Sequence, residues 1–448
     1  MAGPLALPQT VRESWEMGRP HRSLSARQRV RRSALPGTNL RPAWGPVIGF
    51  GLVSLAADVV SDGARPLAGP LLAQLGASAL LVGVVTGGAE AAAQGLRLVF
   101  GPWADRTRRY WTFTLAGYAL TAVCVPLLAV APWAGEAGLV LASVLIIGDR
   151  VGKAVRSPAK TVLLAAVAKP VGRGRGFAVH KSLDLVGALL GPVLVAAVFA
   201  ATGNLSAAIA ALSVPAAAAM FLLFWLRHRV PDPGTRQPPS PEAGGGPQTV
   251  GPALPGAAGR PASLFSGSFA LFAVSAFFWS AGLVAFGVIS FHLTTTAAVP
   301  VGVVALLYAG AMAAAALGAL ASGVGYDRSG ARVLLALPLL IAAVPVLALA
   351  PAAAVAFVGV LVWGIALGIQ DSTVKALVAD LVPEQRQGTA YGVFAAFEGA
   401  GALAGGILYG ALYGTRTLLI AAVAVLQLVA FVVLVVALRR TRGPLRPP

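Results

Sequence analysis

From about Trp44 onward the chain is a succession of long apolar runs with short polar breaks between them. Each run is long enough to cross ~30 Å of hydrocarbon at ~1.5 Å per residue. Backbone in hydrocarbon must satisfy its own hydrogen bonds, so the runs are predicted as helices. Twelve are expected, over 44–74, 79–101, 110–131, 138–166, 176–201, 205–226, 264–292, 300–322, 332–350, 353–381, 388–412 and 417–438. The longest break has no periodicity and carries Pro-Asp-Pro-Gly, Pro-Pro-Ser-Pro and Gly-Gly-Gly, the composition of a flexible linker. The expected organisation is a disordered basic tail over 1–43, a six-helix bundle over 44–227, a linker over 228–263, a second six-helix bundle over 264–438 and a tail over 439–448. The fold class that follows is an all-α integral membrane protein, with twelve transmembrane helices as two six-helix bundles related by an internal repeat.

The repeat is legible in two places. Gly101-Pro-Trp-Ala-Asp105-Arg106-Thr-Arg108-Arg109 follows the second run, and Gly323-Val-Gly-Tyr-Asp327-Arg328-Ser-Gly330-Ala-Arg332 follows the eighth, with Asp327 lying 222 residues after Asp105. Asp184-Leu-Val-Gly187-Ala-Leu-Leu-Gly191-Pro192 in the fifth run matches Glu398-Gly-Ala-Gly401-Ala-Leu-Ala-Gly405-Gly406 in the eleventh. The paired glycines are read first as helix-packing positions.

The twice-occurring loop resembles the signature loop between helices 2 and 3 of the major facilitator superfamily of secondary transporters. The family form carries a Gly after the Arg and one more residue; Gly330 supplies it in the second copy, whereas the first has Arg108. Ala57-Asp58-Val-Val-Ser-Asp62-Gly-Ala-Arg65, Leu75-Gly-Ala-Ser78, Asp149-Arg-Val-Gly-Lys153-Ala-Val-Arg156-Ser-Pro-Ala-Lys160 and Gly388-Thr-Ala-Tyr-Gly392 resemble a little-characterised bacterial branch of it. The resemblance runs from about Trp44 to Leu438 and implies two bundles rocking about a midplane site. It implies gating loops built on Gly101, Asp105, Arg106, Arg109, Asp327, Arg328 and Arg332. The run Gly187-x-x-x-Gly191-Pro192 is similar to an antiporter motif of drug-efflux members, with its closing glycines replaced by Leu194 and Val195. The chain departs from the branch at Lys160-Thr161, where Arg-Asp is expected, and at Lys181, where Glu is expected.

Composition agrees with the pattern. Hydrophobic residues make up 57% of the chain and charged ones 11%, and mean hydropathy is +0.80, too little polar surface for a soluble globule of 448 residues. The net charge of +18 is a topology signal rather than a nucleic-acid footprint. Outside the runs, every Lys and Arg except Arg416 falls in the tails or in the loops after even-numbered runs, which the positive-inside rule assigns to the cytosol with both termini. The expected location is the cytoplasmic membrane of a bacterium. Cys124, the single cysteine, sits in an apolar run and is read as a small packed side chain. No apolar stretch suited to a cleaved signal occurs in the first forty residues.

Charges inside the runs mark a pathway, since each costs roughly 2.5–3.5 kcal/mol at the bilayer centre unless it faces water or a partner. Asp58, Asp62 and Arg65 in the first run are spaced four then three, as are Glu90, Gln94 and Arg97 in the second. Asp149, Arg150, Lys153, Arg156 and Lys160 lie in the fourth, His180, Lys181 and Asp184 in the fifth, Asp371, Lys375 and Asp380 in the tenth, and Glu398 in the eleventh. Runs 3, 6, 9 and 12 carry no charge, as helices shielding a cavity from lipid would. The expected pathway set is Asp58, Asp62, Arg65, Glu90, Arg97, Asp149, Arg150, Lys153, His180, Asp184 and Glu398. The second half adds Trp279, His292 and Tyr308, with His292 read as interfacial and Asp371 as paired with Lys375. Arg156, Lys160 and Asp380 are read as snorkelling to the interface. Arg65 suits Asp62 in helical phase, leaving Asp58 and Glu90 as proton carriers and Asp184 in reserve; the alternative is a permanent pair with Arg150 or Lys153.

The expected function is secondary active transport of a small solute, proton-coupled, more in the direction of export than uptake. The alternatives are uptake or exchange of an anionic metabolite, or a receptor or membrane enzyme on the same scaffold. No phosphate-binding Gly-x-x-x-x-Gly-Lys-Ser/Thr loop is present, so an ATP-driven pump is not expected. Expected partners are the solute, protons and the bilayer, with a monomeric protein, no cofactor, no metal and no enzymatic activity.

Overall fold

The computed structural model describes residues 41–232, 267–382 and 387–440. Most of the expected tails (1–43 and 439–448) and linker (228–263) lies outside the described residues, and so does the pairing of Asp371 with the side chain of Lys375. The first half contains α1 (Arg41–Gln74), α2 (Ala79–Gly95), α3 (Arg97–Thr107), α4 (Tyr110–Leu127), α5 (Gly138–Ala168), α6 (Arg173–Thr202), α7 (Leu205–Ala210) and α8 (Ser213–Arg229). The second contains α9 (Gly267–Gly282), α10 (Phe286–Thr295), α11 (Val301–Ser329), α12 (Ala336–Leu347), α13 (Ala353–Leu381), α14 (Gln387–Ala411) and α15 (Arg416–Arg440). No strand occurs among the described residues.

Ten stretches among the described residues are long and apolar enough to cross a membrane. One of them, Val301–Leu347, has 47 residues, about twice what a ~30 Å core takes. It turns at Gly330, where φ is +64°, and so contains two crossings. α5 is set apart only by its charges. Counting it and dividing the long segment agrees with the twelve crossings expected. α1 begins three residues earlier than the expected tail boundary.

The seventh crossing differs from its expectation as one uninterrupted helix. α9 ends at Gly282 and α10 begins at Phe286, although no proline lies between. Carbonyls released at the break find donors on other helices: the Tyr409 hydroxyl donates to Gly282 O at 2.7 Å and the Trp363 indole to Val284 O at 2.8 Å. Backbone can unwind at this depth only where protein supplies such partners.

The repeated glycines are packing positions, and they act symmetrically. A Cβ on Gly187 or Gly191 of α6 would strike the Leu55 and Val59 carbonyls of α1, while one on Gly401 or Gly405 of α14 would strike the Phe277 and Ala281 carbonyls of α9. In each half, then, the fifth crossing lies directly against the first.

The halves meet tightly at the end remote from the termini. Gly83 of α2 lies against Gly406 of α14, Gly410 against Ala79 and Leu80, and Gly69 of α1 against Gly287 and Ser290 of α10. Toward the terminus-bearing end, Lys181 of α6 and Asp371 of α13 stand exposed, although both belong to mid-helix. Lys181 lies in the field of Asp371, Asp184, Asp58 and Asp62, which places it on the inner side and not toward lipid. The end remote from the termini is thus closed by backbone contacts, while Lys181 and Asp371 remain accessible nearer the termini.

Candidate functional site

α1 supplies one wall. Ser54, Asp58, Ser61, Asp62 and Arg65 follow helical spacing, so a single face of α1 is polar over three turns. Arg65 is the hub: its Nη2 donates to Glu90 Oε1 of α2 at 2.9 Å, its Nη1 to the Tyr308 hydroxyl of α11 at 3.3 Å, and its Nε lies 3.5 Å from Asp62 Oδ1. Tyr308 in turn donates to Asp62 Oδ1 at 3.1 Å. One phenol of the second half thus closes a ring with an acid and a base of the first.

α5 supplies the facing wall. Asp149 accepts from Ser61 at 2.9 Å and lies 3.5 Å from Arg150 Nε, which is also 4.0 Å from Glu90. Glu90, expected as a proton carrier, is held between Arg65 and Arg150. In this conformation its nearer partner is Arg65, and Arg150, the partner named in the alternative, lies at 4.0 Å. Arg97 is turned elsewhere, toward Asp371 and Glu398. Gln370 Nε2 donates to Glu398 Oε1 at 2.9 Å and lies 3.4 Å from the Ser280 hydroxyl, so the second half contributes a polar patch of its own.

Closer to the terminus-bearing end, Ser54 collects four helices. Lys160 Nζ donates to its hydroxyl at 3.0 Å, while Tyr118 Oη and His180 Nε2 each lie 3.1 Å away. His180 Nδ1 is 3.2 Å from Asp184 Oδ1. Arg156 is 3% exposed, donates to Thr121 at 2.6 Å and stacks over the Tyr118 ring at 4.7 Å. Arg156 and Lys160 therefore point into the bundle and do not snorkel. Asp380 accepts from Tyr326 at 2.5 Å. His292, read as interfacial, is buried, with Nδ1 2.8 Å from the Tyr413 hydroxyl and Nε2 3.1 Å from Ala350 O.

Asp58 and Lys153 differ from the rest. Among the described residues neither makes a hydrogen bond or an ion pair within 4 Å. Asp58 lies in the field of Asp184, Lys153, Asp62 and Lys160, and Lys153 in that of Arg65, Asp62, Asp58 and Arg150.

The two loops at the terminus-bearing end are unlinked in this conformation. Asp105 is exposed and accepts only from Tyr110 at 3.3 Å, not from an arginine, among the described residues. Arg106, Arg109, Asp327, Arg328 and Arg332 are exposed, and Gly101 packs 4.0 Å from Pro158 of α5. Arg108 adopts the left-handed conformation at φ +52°, ψ +17°, whereas Gly330 in the second copy combines φ +64° with ψ −157°.

Sequence reasoning noted Tyr308 but left it out of the pathway, and it passed over Ser54, Ser61, Tyr118, Thr121 and Gln370. The serines had a signal, since they continue the spacing of Asp58 and Arg65. Tyr118 and Thr121 had none, lying in a run without charge.

A sequence model of the Major Facilitator Superfamily matches residues 50–311 and 269–448. An uncharacterised protein of Mycobacterium tuberculosis is 48% identical over 393 residues, covering 86% of this chain and 92% of its own length. An uncharacterised MFS-type transporter of Methanocaldococcus jannaschii is 27% identical over 146 residues, 32% of this chain and 35% of its own. Among solved structures, a variant of the nucleoside transporter NupG superposes with a TM-score of 0.67 at 14% identity, over 88% of this chain and all of that one. A bacterial homologue of the human lysosomal transporter Spinster, inward-facing and unoccupied, gives 0.62 at 16% identity over 88% and 95%. At such identities the likeness is one of fold.

Proposed function

The chain belongs to the major facilitator superfamily and is a multi-pass secondary transporter, and on that premise we propose that it couples solute movement to protons through Asp58. Asp58 is the observation that carries this reading. Asp62, Glu90, Asp149 and Asp184 each have a cation or a donor within 3.5 Å, whereas Asp58 has none. A carboxylate held by a guanidinium stays ionised, so a mobile proton belongs on the acid without such a partner. Around it stand Asp184 of α6, Lys153 and Lys160 of α5 and Asp62 of α1. Glu90 is a structural acid in this reading, and Arg65 with Tyr308 is the joint that the two halves remake as they rock.

The termini are assigned to the cytosol by loop charge, which makes the seal of Gly83 on Gly406 the periplasmic one and the conformation inward-facing in this reading. The expectation of export rested on the likeness of Gly187-x-x-x-Gly191-Pro192 to an efflux motif. Those glycines pack α6 on α1, a role that favours neither direction. The sign of the proton gradient that drives accumulation distinguishes export from uptake.

The test is flux in proteoliposomes with imposed pH gradients of either sign. Asp58→Asn is expected to abolish gradient-driven accumulation while solute exchange continues. Accumulation at the wild-type level in that variant would remove Asp58 from the coupling path.

A further inference from the structure

Arg150 and Lys153 lie one turn apart on α5, and Arg65 faces them from α1. The nearby acids are already engaged: Asp62 and Glu90 hold Arg65, and Asp149 holds Arg150 Nε and the Ser61 hydroxyl. What remains without acceptors is cationic. Arg150 is 5% exposed, and its Nη1 is buried with no hydrogen-bond partner. Lys153 is half-buried, makes no hydrogen bond or ion pair among the described residues, and shares its surroundings with two further cations, Arg65 and Arg150. A buried charged donor left unsatisfied costs about 1–3 kcal/mol or more, and Arg150 Nη1, with the unpaired Lys153 ammonium one turn away, indicates an acceptor that the protein does not itself supply.

We propose that the missing acceptor belongs to the solute: the transported substrate is an organic anion whose carboxylate or phosphate group is received by Lys153 Nζ and Arg150 Nη1. Hydrogen-bond accounting supports this when it is joined to the transport reading above, on which it rests. With a proton on Asp58, three acids (Asp62, Glu90, Asp149) face three bases (Arg65, Arg150, Lys153), and every one of those acids is hydrogen-bonded elsewhere. Lys153 then has no acid left to it. Anion and proton load together in this arrangement. Lys153 is also the residue whose loss disturbs least, since it holds no other side chain in place.

The purified full-length protein would be tested by thermal shift with succinate, benzoate and phenyl phosphate, against succinamide, benzamide and benzylamine. At least one anion is expected to raise the melting temperature, with no effect from the amides or the amine. Lys153→Gln is expected to weaken that anion about tenfold or more, and Lys153→Arg to keep most of the effect. Stabilisation by an amide or the amine equal to that by its acid would overturn the proposal. So would an anion effect undiminished in Lys153→Gln, or no effect from any of the three anions. Counterflow of the same six compounds separates this from the wider reading. Passage of the neutral or cationic compounds alone leaves transport standing and removes the anion site, whereas passage of none removes transport itself.

Discussion

The Tyr308 hydroxyl donates to Asp62 Oδ1 at 3.1 Å and accepts from Arg65 Nη1 at 3.3 Å, joining α11 of one half to α1 of the other across more than 240 residues of chain. Tyr308 is fully buried, its ring edge-on to Phe286 at 4.7 Å, so neither bond can be replaced by bulk water. Tyr308→Phe keeps the ring and removes both. A cost of about 1–3 kcal/mol is expected for the donors and acceptors left behind. Thermal denaturation should show a lower midpoint. Cysteines placed at Leu80 and Gly410 should cross-link less readily, because the halves part more easily at that end. Unchanged cross-linking would mean that the phenol is a packing group only.

Glycine contacts make the seal remote from the termini, and they too are open to test. A methyl group on Gly83 would meet the Gly406 carbonyl, which belongs to backbone and cannot swing aside. Gly83→Ala should disfavour the conformation described above and expose Tyr413 to thiol reagents when it is replaced by cysteine. Gly88→Ala, five positions along the same helix, meets only a Leu403 methyl at 3.9 Å and should behave as wild type.

Arg108 offers a stabilising change. It occupies the left-handed region at φ +52°, ψ +17°, where a side chain costs about 1 kcal/mol relative to glycine. Arg108→Gly should raise the melting temperature by a few degrees at most, and Arg108→Val should lower it. An equal response to both would show that the local backbone adjusts freely.

Orientation is accessible through single cysteines after Cys124, buried in α4, is changed to Ala. Cysteines at Glu136 and Arg416 are expected to react with an impermeant reagent on intact cells, and those at Asp105, Arg173 and Arg328 only after lysis. Labelling of Arg173→Cys but not of Glu136→Cys on intact cells would reverse the assignment of the glycine seal to the periplasmic side.

Much of this architecture was legible in the linear chain because hydrocarbon imposes a local rule. Every crossing must close its own hydrogen bonds, so length and apolarity alone mark the helices, and α13 spans the residues expected of it, 353–381. Periodicity also placed Asp58, Asp62 and Arg65 on one face, because the i+3 and i+4 neighbours of a helix are determined by its pitch. The glycine repeats announced close packing, since a missing side chain is visible in sequence.

Only the tertiary structure decided who meets whom. Glu90 took Arg65 and Arg150 rather than Arg97, seven residues along the same crossing, because hydrogen bonds reach about 3 Å and helical phase says nothing about which other helix comes that close. Arg156 and Lys160 looked long enough to snorkel, and turned inward because Thr121, Tyr118 and Ser54 waited there with oxygen acceptors and a π face. The break after Gly282 has no local signal at all. Its released carbonyls are tolerable only through Trp363 and Tyr409, donors 79 and 127 residues away in the chain, so the unwinding is a property of the assembled bundle and not of the segment that unwinds.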